Sequence, residues 1–467
     1  MRLMPAALSL LLLPSISYGA DFNGAELSLA WGIPFACILL SVALFPIFAP
    51  NFWHHHFGKV IAAWTLAFLV PFTVIFGPSM TIGTVAHAML GEYIPFILLL
   101  LALYTVSGGI LIWGNLDGSP KLNTIILALG TFLASIMGTT GAAMLLIRPL
   151  LKANENRKHK VHVVVFFIFL VANIGGGLTP LGDPPLFLGF LKGVDFMWTV
   201  QHMLPPVLMN SAILLVLFFA IDSYFFSKKD ERLAPAENAV RSPLKIMGRS
   251  NFLLLLAIIA SVLMSGIWKP GIEINILGTD VGLQSIVRDV LLLAITLVSL
   301  KMTPKPIRAG NEFNWDPMLE VGKLFLGIFI TIAPVIAILQ AGEAGHFKEL
   351  IAMVHNEQGE PLNVMYFWMS GMLSAFLDNA PTYLVFFNMA SGDAVHLMGE
   401  MQTTLLAVSM GSVFMGALTY IGNAPNFMVK AIAEQRKVKM PTFFGYMLWS
   451  FGILVPLYII QTFVFFM

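Results

Sequence analysis

The sequence predicts an all-α polytopic membrane protein, with about ten spans plus two re-entrant hairpins in inverted-topology repeats. Three observations carry this. Hydrophobic residues make up 58% of the 467 residues and charged residues only 11%, whereas a soluble domain carries roughly 25% charge. Mean hydropathy is +0.84, and apolar stretches of bilayer length, about 20 residues each, recur along the chain. Two of the apolar stretches are interrupted in the middle by polar residues. A net charge of +1 implies no nucleic-acid partner, and one cysteine, Cys37, rules out a disulfide framework or a cysteine-built metal site.

The elements follow in order. Arg2 precedes the apolar run 8–13, and small residues end at Gly19-Ala20, the pattern of a cleaved signal peptide over 1–20. Continuous apolar stretches lie near 27–49, 57–78, 92–112, 161–191, 198–225, 251–267, 285–300, 316–341, 401–431 and 442–466. Residues 122–151 and 363–390 are the interrupted ones and read as hairpins that enter and leave on one side. Irregular backbone at membrane depth is tolerated only where protein buries it or water lines it, so such breaks are candidate sites. The polar, basic stretch 226–250, with Pro235 and Pro243, divides a first half (27–225) from a second (251–467).

Loop charge sets the orientation. With both hairpins counted as non-crossing, twenty of the 26 basic residues fall on one side, including Arg148, Arg157, Arg249, Arg308 and Arg436. Only Lys192, Lys269 and Lys348 fall on the other. The positive-inside rule then places 152–160, 226–250 and 301–315 in the cytoplasm and 342–362 and 391–400 outside, across a bacterial inner membrane.

The halves repeat each other. Residues 176–187 read GGLTPLGDPPLF and 416–427 read GALTYIGNAPNF, matching at six of twelve positions with an offset of 240 residues. The same offset carries the first hairpin break, Gly138-Thr139-Thr140-Gly141, onto the second, Asp378-Asn379-Ala380-Pro381. Five spans between the hairpins invert the second copy. Inverted repeats with broken helices meeting near mid-membrane are the plan of secondary transporters.

The four breaks supply the candidate site residues. They are Thr139 and Thr140 in the first hairpin, and Asn173, Thr179 and Asp183 in the first broken span. The second hairpin adds Ser374, Asp378, Asn379 and Thr382, and the second broken span adds Ser412, Thr419, Asn423 and Asn426. Oxygen-rich linings of this kind suit a hard cation such as sodium, with Asp183, Asp378, Asn379 and Asn423 as its candidate ligands. Ionisable residues inside a membrane are costly and functional by default, although Asp183 could instead cap the helix that begins at Pro184-Pro185. His54, His55 and His56 read as a solvated flank, and Arg148, beside Pro149, as a topological anchor. No cofactor is expected beyond sodium and protons as transported or coupling ions.

These motifs resemble a known group. NIGGGLTPLGDPP (173–185) and Ser-Ala-Phe-Leu-Asp-Asn-Ala-Pro (374–381) are similar to the ion transporter superfamily, which includes D-type bacterial sodium/proton antiporters and citrate-type carboxylate carriers. The Asp-Asn-x-Pro hairpin is most similar to the antiporters, and GNAPNF is similar to the carboxylate carriers too. Carboxylate carriers of this fold carry Ser-Asn-Thr in each hairpin, where this chain has Gly-Thr-Thr and Asp-Asn-Ala. The resemblance implies a scaffold, a transport domain bearing both hairpins, elevator-like movement and a homodimer.

Three functions are therefore weighed. Sodium/proton antiport by alternating access comes first, with Asp183 and Asp378 exchanging ions. Sodium- or proton-coupled uptake of a carboxylate such as citrate is the alternative, weakened by two aspartates and no buried arginine to balance them. A passive channel is the third, disfavoured by the proline-stopped inverted hairpins. Nothing in the sequence supports an enzyme.

Overall fold

The computed structural model describes residues 23–114, 116–228 and 245–467. The expected signal peptide and residues 229–244 of the expected linker lie outside the described residues. The chain enters through a 3-10 turn, Leu29–Gly32, into α1 (Ile33–Phe48). A long helix α2 (Pro50–His87) follows, then a π-helical turn, Ala88–Tyr93, and α3 (Ile94–Ser107). The break expected between the stretches near 57–78 and 92–112 falls at Gly77, where α2 is two helices meeting across a kink. Gly77, at φ 86 and ψ 160, is not helical, and the next helix starts at Pro78, because glycine takes that backbone freely and proline needs no donor at a helix start.

The first hairpin is α4 (Pro120–Met137) and α5 (Thr139–Ala153), joined through Gly138 at φ 79. The first broken span is α6 (Val161–Leu170), a 3-10 turn (Ile174–Leu178) and α7 (Pro184–Leu191). After it come α8 (Phe196–Phe226), α9 (Ser250–Ile267), α10 (Leu283–Met302), the short α11 (Lys305–Gly310) and α12 (Asp316–Gln340). A short helix α13 (Lys348–Ala352) leads into the second hairpin, α14 (Asn363–Phe376) and α15 (Asn379–Ala390). A further short helix, α16 (Ala394–Met398), precedes the second broken span: α17 (Gln402–Phe414), a 3-10 turn (Met415–Leu418) and α18 (Ala424–Gln435). The chain closes with α19 (Phe443–Phe465). Two short ribbons are the only strands among the described residues: β1 (Leu111–Trp113) with β2 (Lys245–Met247), and β3 (Glu273–Ile276) with β4 (Thr279–Gly282).

Nine helical stretches among the described residues are long and apolar enough to cross a membrane. Their outward faces are apolar, as at Val74, Ile267 and Leu448, which are each about four-fifths exposed. The stretch Val161–Leu178 is the exception, 89% buried against 17–56% for the others. Its sequence, apolar on every face, puts it at the centre of the bundle.

The repeat is visible in backbone chemistry. Thr179 Oγ1 donates to Ser135 O at 2.5 Å, and Thr419 Oγ1 donates to Ala375 O at the matching positions. The Leu181 and Ile421 N–H groups then donate back to those same hydroxyls. Gly176 packs on the carbonyl of Gly182 as Gly416 does on that of Gly422. A Cβ on Gly182 would lie 2.2 Å from the Gly176 oxygen, and one on Gly422 would lie 2.6 Å from that of Gly416. These glycines are fixed by close approach, which explains why the sequence match centres on them.

Contacts also sort by side. On the face the charge bias assigns to the cytoplasm, β1 pairs with β2, Asn251 bonds to Thr303 and Gly109, and Arg308 to Thr105. On the opposite face, Lys192 bonds to Glu92, and the Asp195 N–H approaches Met398 Sδ at 3.1 Å.

Candidate functional site

Each break places a helix N-terminus at the centre of the bundle. Gly138, with positive φ and no Cβ, lets α5 start at Thr139 directly after α4 ends. Pro184 and Pro185 start α7, where no backbone donor is needed, and Pro425 does the same in α18. In the second hairpin Asp378 caps α15.

Asp183 is where the four segments meet. It is 2% exposed, and its side chain makes no capping bond to α7. Its Oδ1 instead accepts from Thr139 Oγ1 at 3.2 Å and from Asn423 Nδ2 at 3.2 Å, and its Oδ2 accepts from Asn379 Nδ2 at 2.5 Å. The arrangement follows the repeat. Thr139 and Asn379 are matched positions, one from each hairpin, and Asp183 and Asn423 are matched positions, one from each broken span. Two pseudo-symmetric pairs thus close on one carboxylate. All its side-chain donors are neutral.

A second layer holds these donors. Asn423 Nδ2 also donates to Ala172 O at 3.1 Å and to Asn173 Oδ1 at 3.3 Å. Asn173 in turn donates to Asn426 Oδ1 at 2.7 Å, and Asn426 donates to the carbonyls of Gly416 and Thr419, both at 2.9 Å. Ser374 ties its hairpin to the second broken span by donating to Ser412 O at 2.6 Å. Thr179 and Thr419 satisfy hairpin carbonyls, as described above.

Three of the expected residues stand apart from the Asp183 cluster. Asp378 accepts from the Ala380 N–H at 3.1 Å, which is the capping geometry. Thr382 returns its hydroxyl to Asp378 O, inside its own helix, at 2.9 Å. Thr140 is half-buried and takes part in none of these bonds. The capping role that the sequence allowed for Asp183 belongs to Asp378. His54, His55 and His56 are exposed, and His55 Nδ1 lies 2.8 Å from Asn51 O, one helical turn back.

Sequence reasoning missed a separate buried network. Asp222 in α8, fully buried, meets Arg157 Nη2 at 2.5 Å, His162 Nε2 at 2.8 Å and Asn123 Nδ2 at 2.9 Å. Asn123 and Asn154 exchange amide bonds behind it. Arg157 is therefore an internal residue and not a solvated loop charge, and Arg288 is also buried. The expectation of no buried arginine is corrected, though neither residue bonds to the Asp183 cluster. The signal was an aspartate inside the apolar run 198–225.

A helical bundle with lipid-facing exterior, paired interrupted hairpins and interrupted helices meeting on a buried carboxylate defines a polytopic membrane transport protein. The chain belongs to the family described as "Putative citrate transport", whose pattern matches residues 24–466. It is similar to an uncharacterized transporter of Mycobacterium bovis and to one of Mycobacterium tuberculosis. Each is 24% identical over 327 residues, covering 68% of this chain and 70% of the relative.

Proposed function

We propose that this protein is a secondary active transporter of the bacterial inner membrane that couples movement of a small carboxylate, citrate or a close relative, to sodium. The observation that carries the coupling is Asp183: a carboxylate 2% exposed with Thr139, Asn379 and Asn423 as its side-chain donors. A buried charge with only neutral partners is costly until a cation or proton compensates it. Asn and Thr oxygens and the carbonyls freed at the breaks complete a ligand set for a hard cation.

Family membership supports the carboxylate. The site has a means of tolerating it, since α5, α7, α15 and α18 all begin there. Helix N-termini favour negative charge, and a bound sodium would offset the aspartates. The two hairpins and two broken spans form the moving unit, with the remaining helices as its scaffold.

Sodium/proton antiport is the second reading, favoured by a second carboxylate, Asp378, at the break of the second hairpin. One experiment separates the two. Purified protein in liposomes is given an inward sodium gradient while labelled citrate uptake and internal pH are followed together. Citrate accumulation that collapses in potassium supports the first reading. Alkalinisation or acidification driven by sodium with no citrate requirement supports antiport and overturns the first.

A further inference from the structure

Two of the half-helices that begin at the Asp183 cluster end at the face assigned to the cytoplasm, and each carries an arginine there. Arg148 lies in α5, nine residues beyond Thr139, so about 13 Å from the break at 1.5 Å per residue. Arg436 is the C-cap of α18. Both reach the same group. Glu312, between α11 and α12, accepts from Arg148 Nη2 at 3.2 Å on one oxygen and from Arg436 Nη2 at 3.1 Å on the other.

Three features make this more than a surface ion triad. The Arg148 side chain is 14% exposed, yet its Nε and Nη1 atoms are buried and make no hydrogen bond among the described residues. Buried donors left unmet are uncommon and call for a ligand. Guanidinium groups recognise carboxylates through paired N–H donors, and Arg148 keeps two of them in reserve. Glu312 is half-exposed, at 49%, and sits at φ 50, a left-handed conformation that a side chain other than glycine rarely adopts. Its link to Arg436 is exposed on both sides, and such pairs contribute little, so Glu312 is open to exchange.

We propose that Arg148 and Arg436 form a carboxylate-binding site at the inner mouth, which Glu312 fills as an internal carboxylate in this conformation. A carboxylate of the transported anion exchanges with Glu312 as it passes between the Asp183 cluster and the cytoplasm. This rests on the carboxylate reading above. Exchange also frees the ends of α5 and α18 from the α11–α12 loop, so that anion arrival and release of the moving unit coincide.

The test compares Glu312→Gln, Arg148→Gln and the parent, all checked as monodisperse after purification. Half-saturating citrate is measured for uptake from each face, in inside-out and right-side-out vesicles. Glu312→Gln should lower the inner-face value and Arg148→Gln should raise it, each by about tenfold, the scale of one charge-assisted bond. The outer-face value should stay within about twofold for both. Equal shifts on the two faces, or none, overturn the proposal.

A second arm stands apart from transport. Citrate is titrated onto purified protein in sodium-free potassium buffer, which leaves out the coupling ion. Glu312→Gln should bind citrate about tenfold more tightly than the parent, and adding Arg148→Gln should abolish the gain. If the parent carries no citrate but this pattern appears, the transport reading fails and the inner site stands. If Glu312→Gln gains nothing, the inner site is overturned whatever the protein transports.

Discussion

At the scale of single residues, the two aspartates that look alike in sequence have different surroundings. Asp183 accepts three side-chain bonds from three other segments, whereas Asp378 accepts from its own helix. Asparagine is as good an N-cap as aspartate, and alanine costs roughly 1 kcal/mol. Asp378→Asn should therefore keep the parent's stability, and Asp378→Ala should lower it by about that amount, measured by thermal unfolding in detergent. Equal stability of the two variants would remove the capping assignment. The four residues of this cluster, Thr139, Asp183, Asn379 and Asn423, were all legible as polar residues at breaks in apolar segments. Which aspartate sat at the centre was not. That depends on side-chain direction across segments 196 and 240 residues apart, and the Pro184-Pro185 pair made Asp183 the more obvious cap.

At the scale of elements, close backbone approach holds the breaks open. Gly182 meets the Gly176 carbonyl with no room for a Cβ, so Gly182→Ala should destabilise by roughly 1–3 kcal/mol through overpacking and disturb the site more than its distance from solvent suggests. Thermal unfolding with sodium-dependent uptake checks this; a variant matching the parent in both would show that the break tolerates a side chain. The hairpins and broken spans were legible because glycine, proline and polar residues interrupt otherwise apolar runs at one common offset. The break at Gly77-Pro78 was legible in the same way, whereas the π turn that carries the second helix of α2 into α3 was not. The network of Asp222, Arg157 and His162 was hidden for another reason: basic residues near a span end look like topology signals. Breaking that buried pair by Asp222→Asn should cost roughly 3–5 kcal/mol, read as lost thermal stability. A loss under about 1 kcal/mol would place the cluster in a wetter setting than the structure gives it.

At the scale of the whole molecule, contacts bind the four-segment unit to its surroundings at both ends. Lys192, after α7, meets Glu92 in the π turn, and Glu312 meets Arg148 and Arg436 at the opposite end. In the proposed transport cycle such links must rearrange, which the half-exposed Glu312 at φ 50 fits and the buried Glu92 does not. The orientation is tested by single cysteines in a Cys37→Ser background: position 357 should react with an impermeant reagent from outside and position 305 should not. The reverse pattern would invert the topology and undo the assignment of Arg148 to the inner mouth. The central claim, that the Asp183 carboxylate is the coupling group, is tested most directly by Asp183→Asn. The amide is isosteric, so insertion and oligomeric behaviour should match the parent. Sodium-pulsed transport in proteoliposomes at matched protein content should fall to the level of empty liposomes. Transport by the Asp183→Asn variant at the parent rate, with unchanged dependence on sodium, would contradict the account.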